Sequence, residues 1–284
     1  MTNHSLLEGS ELGPDHLVLS YFCLGAEPFD VRIAAAGAAG FDGIGMLHRE
    51  YVQLVATEGR ATQDIIDQAA DHQLRIVEIE AVRGWSTATE PGPNTAGLET
   101  CMEMAAVFGA RHITAVGAFD GTIEQATEGF GILCDRAAEI GALVGIEPIP
   151  VQETPDIATA RRIVEGAGRS NGGLCVDSWH LLRGGAHWDQ LEALPGEMVA
   201  SIQINDGTVE PEHNEYIEDC LWNRRLCGEG EFDLNRFVQT LDAIGSTAPY
   251  SIEIISTDLW AQDPFDVAQR IADTTHATLA QARA

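Results

Sequence analysis

The chain has 284 residues, 45% of them hydrophobic and 21% charged, which supplies a large core and excludes disordered or fibrous classes. Sixteen basic against forty-four acidic residues give a net charge of −28, a surface that repels nucleic-acid phosphates and anionic lipid heads. All sixteen basic residues are arginine, and the lack of lysine excludes Schiff-base chemistry, pyridoxal-phosphate enzymology and a P-loop.

The first fifteen residues are polar and acidic and read as a tail, without the basic and apolar regions of a secretory leader. No run approaches eighteen apolar residues, so no transmembrane helix is expected and the predicted location is cytoplasmic. From residue 16 onward, Val- and Ile-rich runs predict strands at 17–23, 43–46, 74–80 and 112–117, then at 142–149, 173–177, 199–205 and 250–256. Amphipathic, alanine-rich stretches such as QDIIDQAADH and DIATARRIVEGAG separate them. Strands alternating with helices predict βαβ units. Eight units in this length predict an α/β fold, one (β/α)₈ TIM-barrel domain over 16–284.

No GxGxxG follows the first strand, so a dinucleotide-binding sheet is not expected. In GEGEFD (228–233) Asp233 reads as a helix N-cap, and EPGPN (90–94) as a loop. Residues 206–232 form the longest irregular stretch, expected on the active-site face. The six cysteines form no CxxC pair and read as reduced thiols, with Cys220 and Cys227 expected to be the most exposed.

Barrel enzymes carry their sites at the C-terminal ends of the strands. Strand five ends in Glu147, strand six in Asp177, strand seven carries Gln203 and then Asp206, and strand eight carries Glu253. Oxygen ligands from four successive strands converge on one axis, where unpaired anions would repel; a divalent cation resolves that repulsion. Three carboxylates and one amide suit Mn²⁺ or Mg²⁺. Such a site polarises a carbonyl and its neighbouring hydroxyl and stabilises an enediolate, with Glu147 and Glu253 as acid/base candidates.

The segments GIEPIP, VDSWH, IQINDG and SIEI resemble the xylose-isomerase-like barrel superfamily, most closely over the last four units. That superfamily contains sugar isomerases, ketose and sugar-phosphate epimerases, inosose dehydratases, 3-dehydroshikimate dehydratases and an endonuclease branch. The resemblance implies Glu147, Asp177 and Glu253 as metal ligands, with Gln203 at a position where most epimerases have histidine and some dehydroshikimate dehydratases have glutamine. It implies substrate contacts from His180 and from Arg225 in NRRLCGEGEFD, with Arg224 beside it as readily a surface pair as a site residue. His48, Glu80, Arg83, Trp85, Trp179 and Trp222 are candidate pocket walls, each with an alternative reading as a rim or core residue. The endonuclease branch needs further histidine ligands and a basic groove, which this chain lacks.

The resulting expectation is a divalent-metal-dependent isomerase or epimerase acting on a sugar or keto-polyol. A lyase or dehydratase of the inosose or 3-dehydroshikimate type, acting on a cyclic hydroxy acid, is the alternative, and an inactive binding barrel a third. Nucleic-acid and membrane partners are not expected; a homo-oligomer is compatible with the sequence.

Overall fold

The computed structural model describes residues 12–87, 95–117 and 121–284. Residues 1–11 of the expected tail and the loop expected at 90–94 lie outside the described residues. The rest of that tail is tied down: Leu12 is buried against Val18 and Val77, and Asp15 pairs with Arg283 at 2.9 Å.

Eight parallel strands close into a barrel in chain order. They are β1 Leu17–Leu19, β2 Gly43–Leu47, β3 Ile76–Val82, β4 His112–Ala115, β5 Leu143–Ile146, β6 Gly172–Asp177, β7 Val199–Ile204 and β8 Tyr250–Ile252. The apolar run at 17–23 breaks at Ser20, whose Oγ accepts from Phe22 N and caps a 3₁₀ turn, Tyr21–Leu24. Competition of a serine side chain for a nearby backbone N–H explains why the strand stops four residues early. β5 and β8 also end before their acids, so Glu147 and Glu253 are the first residues past the strands. Each still donates its backbone N–H to the adjacent strand, Glu147 to Ala115 O at 3.0 Å and Glu253 to Ile204 O at 3.3 Å.

Helices form the outer ring. The helix Ile157–Ala167 shows why: Asp156 caps it through Thr159 N at 2.8 Å, and Gly168 ends it in the left-handed region at φ 63°. Its buried face, Ile157, Ala160, Ile163 and Val164, follows the helical period and packs into the apolar layer with Leu174 and Val176. Each fully buried aliphatic side chain there contributes about 1.5–3 kcal/mol. Asp233 caps the helix Leu234–Ala243 through Arg236 N, as expected. Among the described residues no helix is long and apolar enough to cross a membrane.

The lumen is polar. Asp177, Gln203 and Ser251 pair side by side across β6, β7 and β8, so they share the face opposite the apolar Val176 and Ile202. Below them Glu78, fully buried, accepts from Thr114 Oγ1 at 2.9 Å and, across the barrel, from Ser251 Oγ at 2.7 Å. His112 Nε2 lies 3.3 Å from the same carboxylate. Burial pushes the Glu78 carboxyl up, but the charge of His112 and these hydrogen bonds outweigh it and hold the group below its ordinary range.

Two expectations are corrected here. Cys220 and Cys227 are buried, because residues 206–232 are not an open loop: they contain the helix Tyr216–Trp222 and fold back onto the barrel. Trp85 is 1% exposed and packs edge-on against Phe130 in the helical layer, so it is core rather than pocket wall.

Candidate active site and metal centre

Asp177 is the last residue of β6 and the N-cap of the helix Ser178–Arg183. Its Oδ1 accepts from Trp179 N at 2.8 Å and from Asn205 Nδ2 at 2.9 Å, which fixes the carboxylate. That helix places His180 one turn on, with Nε2 2.9 Å from Glu147 Oε1 and 3.5 Å from Asp177 Oδ2. A carboxylate can only accept, so Nε2 donates toward Glu147. Tyr216 Oη lies 2.5 Å from Nδ1, and the two rings stack with centroids 5.9 Å apart. Burial holds the Tyr216 phenol well above its usual range, so it remains a donor. Tyr216 was not visible as a site residue in the sequence.

Glu253 faces Asp177 across a guanidinium. Arg224, 3% exposed, donates from Nη1 to Glu253 Oε2 at 2.8 Å, to Glu253 O at 3.1 Å and to Asp177 Oδ2 at 3.1 Å. Burial, with the charges of Glu147 and Asp177, pushes the Glu253 carboxyl up to about 8 against the pull of Arg224. Of the two readings open for Arg224, the surface pair is therefore excluded. Arg225 is the outward member of the pair, bonded to Glu212 at 2.9 Å with its side chain 38% exposed. The reason is a short antiparallel bridge, in which Arg225 N donates to Asp206 O at 2.8 Å and Asp206 N to Arg225 O at 3.0 Å.

Asp206 also binds the glycine loop. Its Oδ1 accepts from Gly207 N and Phe232 N, and its Oδ2 from Gly228 N and Gly230 N, at 2.8–3.1 Å. A side chain at Gly230 would meet Asp206 Oδ1 at 2.3 Å, so the loop needs glycine there. This clamp delivers Arg224 into the site. The signal for it was present in the DG and GEG segments.

The other expected wall residues are dispersed. Glu80 is buried in the lumen, accepting from Ser20 Oγ at 2.8 Å and Tyr21 N at 2.7 Å. His48 is exposed on the rim, beside Gly97. Arg83 is exposed next to Gly117 past β4. Trp222 is 40% exposed and meets Trp260 edge-on. Trp179 offers no open face: it is fully buried, with the guanidiniums of Arg183 and Arg224 over its ring at 4.6 and 5.6 Å. It backs the site rather than lining it. A narrow cleft opens beside Asp177 and His180, walled by Pro148, Asp156 and His187.

The residues fit a divalent cation. Glu147, Asp177 and His180 offer ligand atoms within 4.8 Å of one another, all buried. Gln203, next to Asp177 on the sheet, has a buried Oε1 with no hydrogen-bond partner among the described residues. A buried amide oxygen without a donor is costly, and a cation removes that cost.

Comparison with known proteins places the fold and the family. The chain is 26% identical over 236 residues to a 3-dehydroshikimate dehydratase of Pseudomonas aeruginosa, covering 79% of this chain but only 36% of that protein. The chain thus spans about a third of the length of that relative. It is 21% identical over 229 residues to an inosose isomerase of Bacillus velezensis, covering 77% of this chain and 80% of the relative. The crystal structure of the IolI protein with a zinc atom superposes with a TM-score of 0.79 at 18% identity, covering 94% of this chain and 99% of that one. The profile of one family matches residues 33–274, and the chain belongs to it: the xylose isomerase-like TIM barrel family.

Proposed function

We propose that this protein is a divalent-metal-dependent isomerase or epimerase that removes and returns a proton beside the carbonyl of a sugar or keto-polyol. The observation that carries the reading is the ring of buried acids at the ends of β5, β6 and β8, joined by the unpartnered Gln203 oxygen on β7. Glu147, Asp177, Gln203 and Glu253 would hold the ion. All-oxygen ligands suit Mn²⁺ or Mg²⁺; the IolI structure holds zinc. When bound, the ion supplies Lewis-acid charge that lowers the cost of negative charge developing next to the carbonyl.

The remaining chemistry belongs to side chains. Glu147 and Glu253 approach from β5 and β8, so one can take a proton while the other returns one to the opposite face. His180 Nε2–H can turn from Glu147 to a substrate oxygen, while Tyr216 holds the ring at Nδ1. Helix Tyr216–Trp222 and the clamped segment behind it exclude water from that side.

A second reading is favoured by Gln203 and by the dehydratase relative: the same proton abstraction followed by loss of a β-hydroxyl as water. Incubation with ketohexoses, inososes and 3-dehydroshikimate in D₂O with Mn²⁺ separates the two. The proposal predicts deuterium at the carbon beside the carbonyl of an intact polyol. An unsaturated product in place of an exchanged one selects the dehydratase. Glu253→Gln should slow either reaction about 10²–10⁴-fold; an unslowed variant removes Glu253 from the chemistry.

A further inference from the structure

We propose that Arg224 is a built-in competitor of the divalent cation, holding Asp177 and Glu253 together until metal displaces its guanidinium from between them. The inference rests on the reading of this cluster as a metal centre. Nη1 alone engages three oxygens of two candidate ligands, at 2.8–3.1 Å. Two of them, Asp177 Oδ2 and Glu253 Oε2, are carboxylate oxygens that an ion would draw on, and the third is the Glu253 backbone carbonyl. A guanidinium and a divalent ion sharing one buried carboxylate pair repel each other strongly at such range.

Arg224 is not a surface side chain that has folded inward. Its Nε donates to Cys220 O at 3.1 Å and its Nη2 to Cys220 Sγ at 3.2 Å, and Trp179 lies under its plane. Only Nη1 touches the acids, so a small rotation about the Cys220 anchor releases both carboxylates while the other nitrogens keep their partners. The Asp206 clamp fixes the segment that carries the arginine, so this rotation, rather than opening of the loop, is the available motion.

The arrangement also explains how three acids coexist in a buried ring. Glu147 is partnered by His180, and Asp177 and Glu253 share Arg224, so every carboxylate has a donor of positive or polar character. Metal binding would have to break the Arg224 ion pairs with Asp177 and Glu253, which lowers the affinity.

The test is calorimetric titration of the EDTA-treated full chain with MnCl₂, for wild type, Arg224→Leu and Arg224→Lys. Circular dichroism checks each fold, and Arg224→Gln serves if the leucine variant does not fold. The proposal expects the neutral variants to bind Mn²⁺ at least about 10-fold more tightly than wild type, with a larger rise in Tm on adding Mn²⁺, and the lysine variant to stay near wild type. A folded neutral variant that binds Mn²⁺ equally or more weakly overturns the competition and makes Arg224 an organiser of the ligands. If wild type and all variants bind no Mn²⁺, the metal centre itself falls.

Discussion

Replacing Asp206 by asparagine tests whether the segment 206–232 is a rigid part of the site. The carboxylate accepts four backbone N–H groups, two on each oxygen, and is 1% exposed. An asparagine keeps one oxygen and turns an NH₂ group toward the other two donors. Each hydrogen bond to a charged acceptor contributes about 1.5–3 kcal/mol, so two lost bonds amount to about 3–6 kcal/mol. That is large against a typical total stability of about 5–15 kcal/mol, and the segment will detach locally if detachment costs less. Two assays therefore run together: urea unfolding for global stability, and limited tryptic digestion. The chain has no lysine, so trypsin reads arginine alone, and Arg224–Arg225 sits inside the clamped segment. The expected result is a fall of at least about 2 kcal/mol in stability, or rapid cleavage at Arg224–Arg225 with the urea midpoint unchanged. A variant unchanged in both assays would refute the clamp.

Three further outcomes follow from named contacts. Gln203→His exchanges an oxygen donor for a nitrogen, and metal titration should show preference moving toward Zn²⁺ or Co²⁺; an unchanged ranking refutes Gln203 as a ligand. Gly45→Ala places a Cβ 1.6 Å from Glu80 Oε1, so it should cost at least about 2 kcal/mol in urea unfolding, and adding Glu80→Ala should restore part of the loss. Glu80 is raised well above the ordinary carboxyl range by burial and by the charges of Glu78 and Glu253. A raised acid binds its proton more tightly when folded, so it loses stability as pH rises from the unfolded value toward the folded one. Glu80→Gln lacks that loss, and its stability advantage over wild type should grow from about pH 5 upward; a pH-independent difference contradicts the assignment.

The barrel was legible because strand and helix periods alternate eight times, and the acids were legible because they stand at strand ends where apolar residues are expected. Glu147, Asp177, Gln203 and Glu253 all fall at or next to strand ends around the buried lumen. What escaped were consequences of pairing across long loops. Arg224 and Arg225 are indistinguishable in sequence, and only the bridge to Asp206 decides which one turns inward. Tyr216 stands in a polar stretch of glutamates, and nothing local links it to His180, 36 residues away. Cys220 and Cys227 read as exposed because their neighbours are charged, yet the helix Tyr216–Trp222 and the clamp bury them. Trp179 was open between a ring platform and core packing, and two arginines over its buried ring decide for the core.

The most direct test of the account is a crystal structure of the full chain grown with MnCl₂, with anomalous data to place the ion. The account predicts one peak with oxygens of Glu147, Asp177, Gln203 and Glu253 around it at about 2.0–2.6 Å, and Arg224 Nη1 withdrawn from Asp177. A peak with these side chains more than about 4 Å away, or no peak in the lumen mouth, would contradict it.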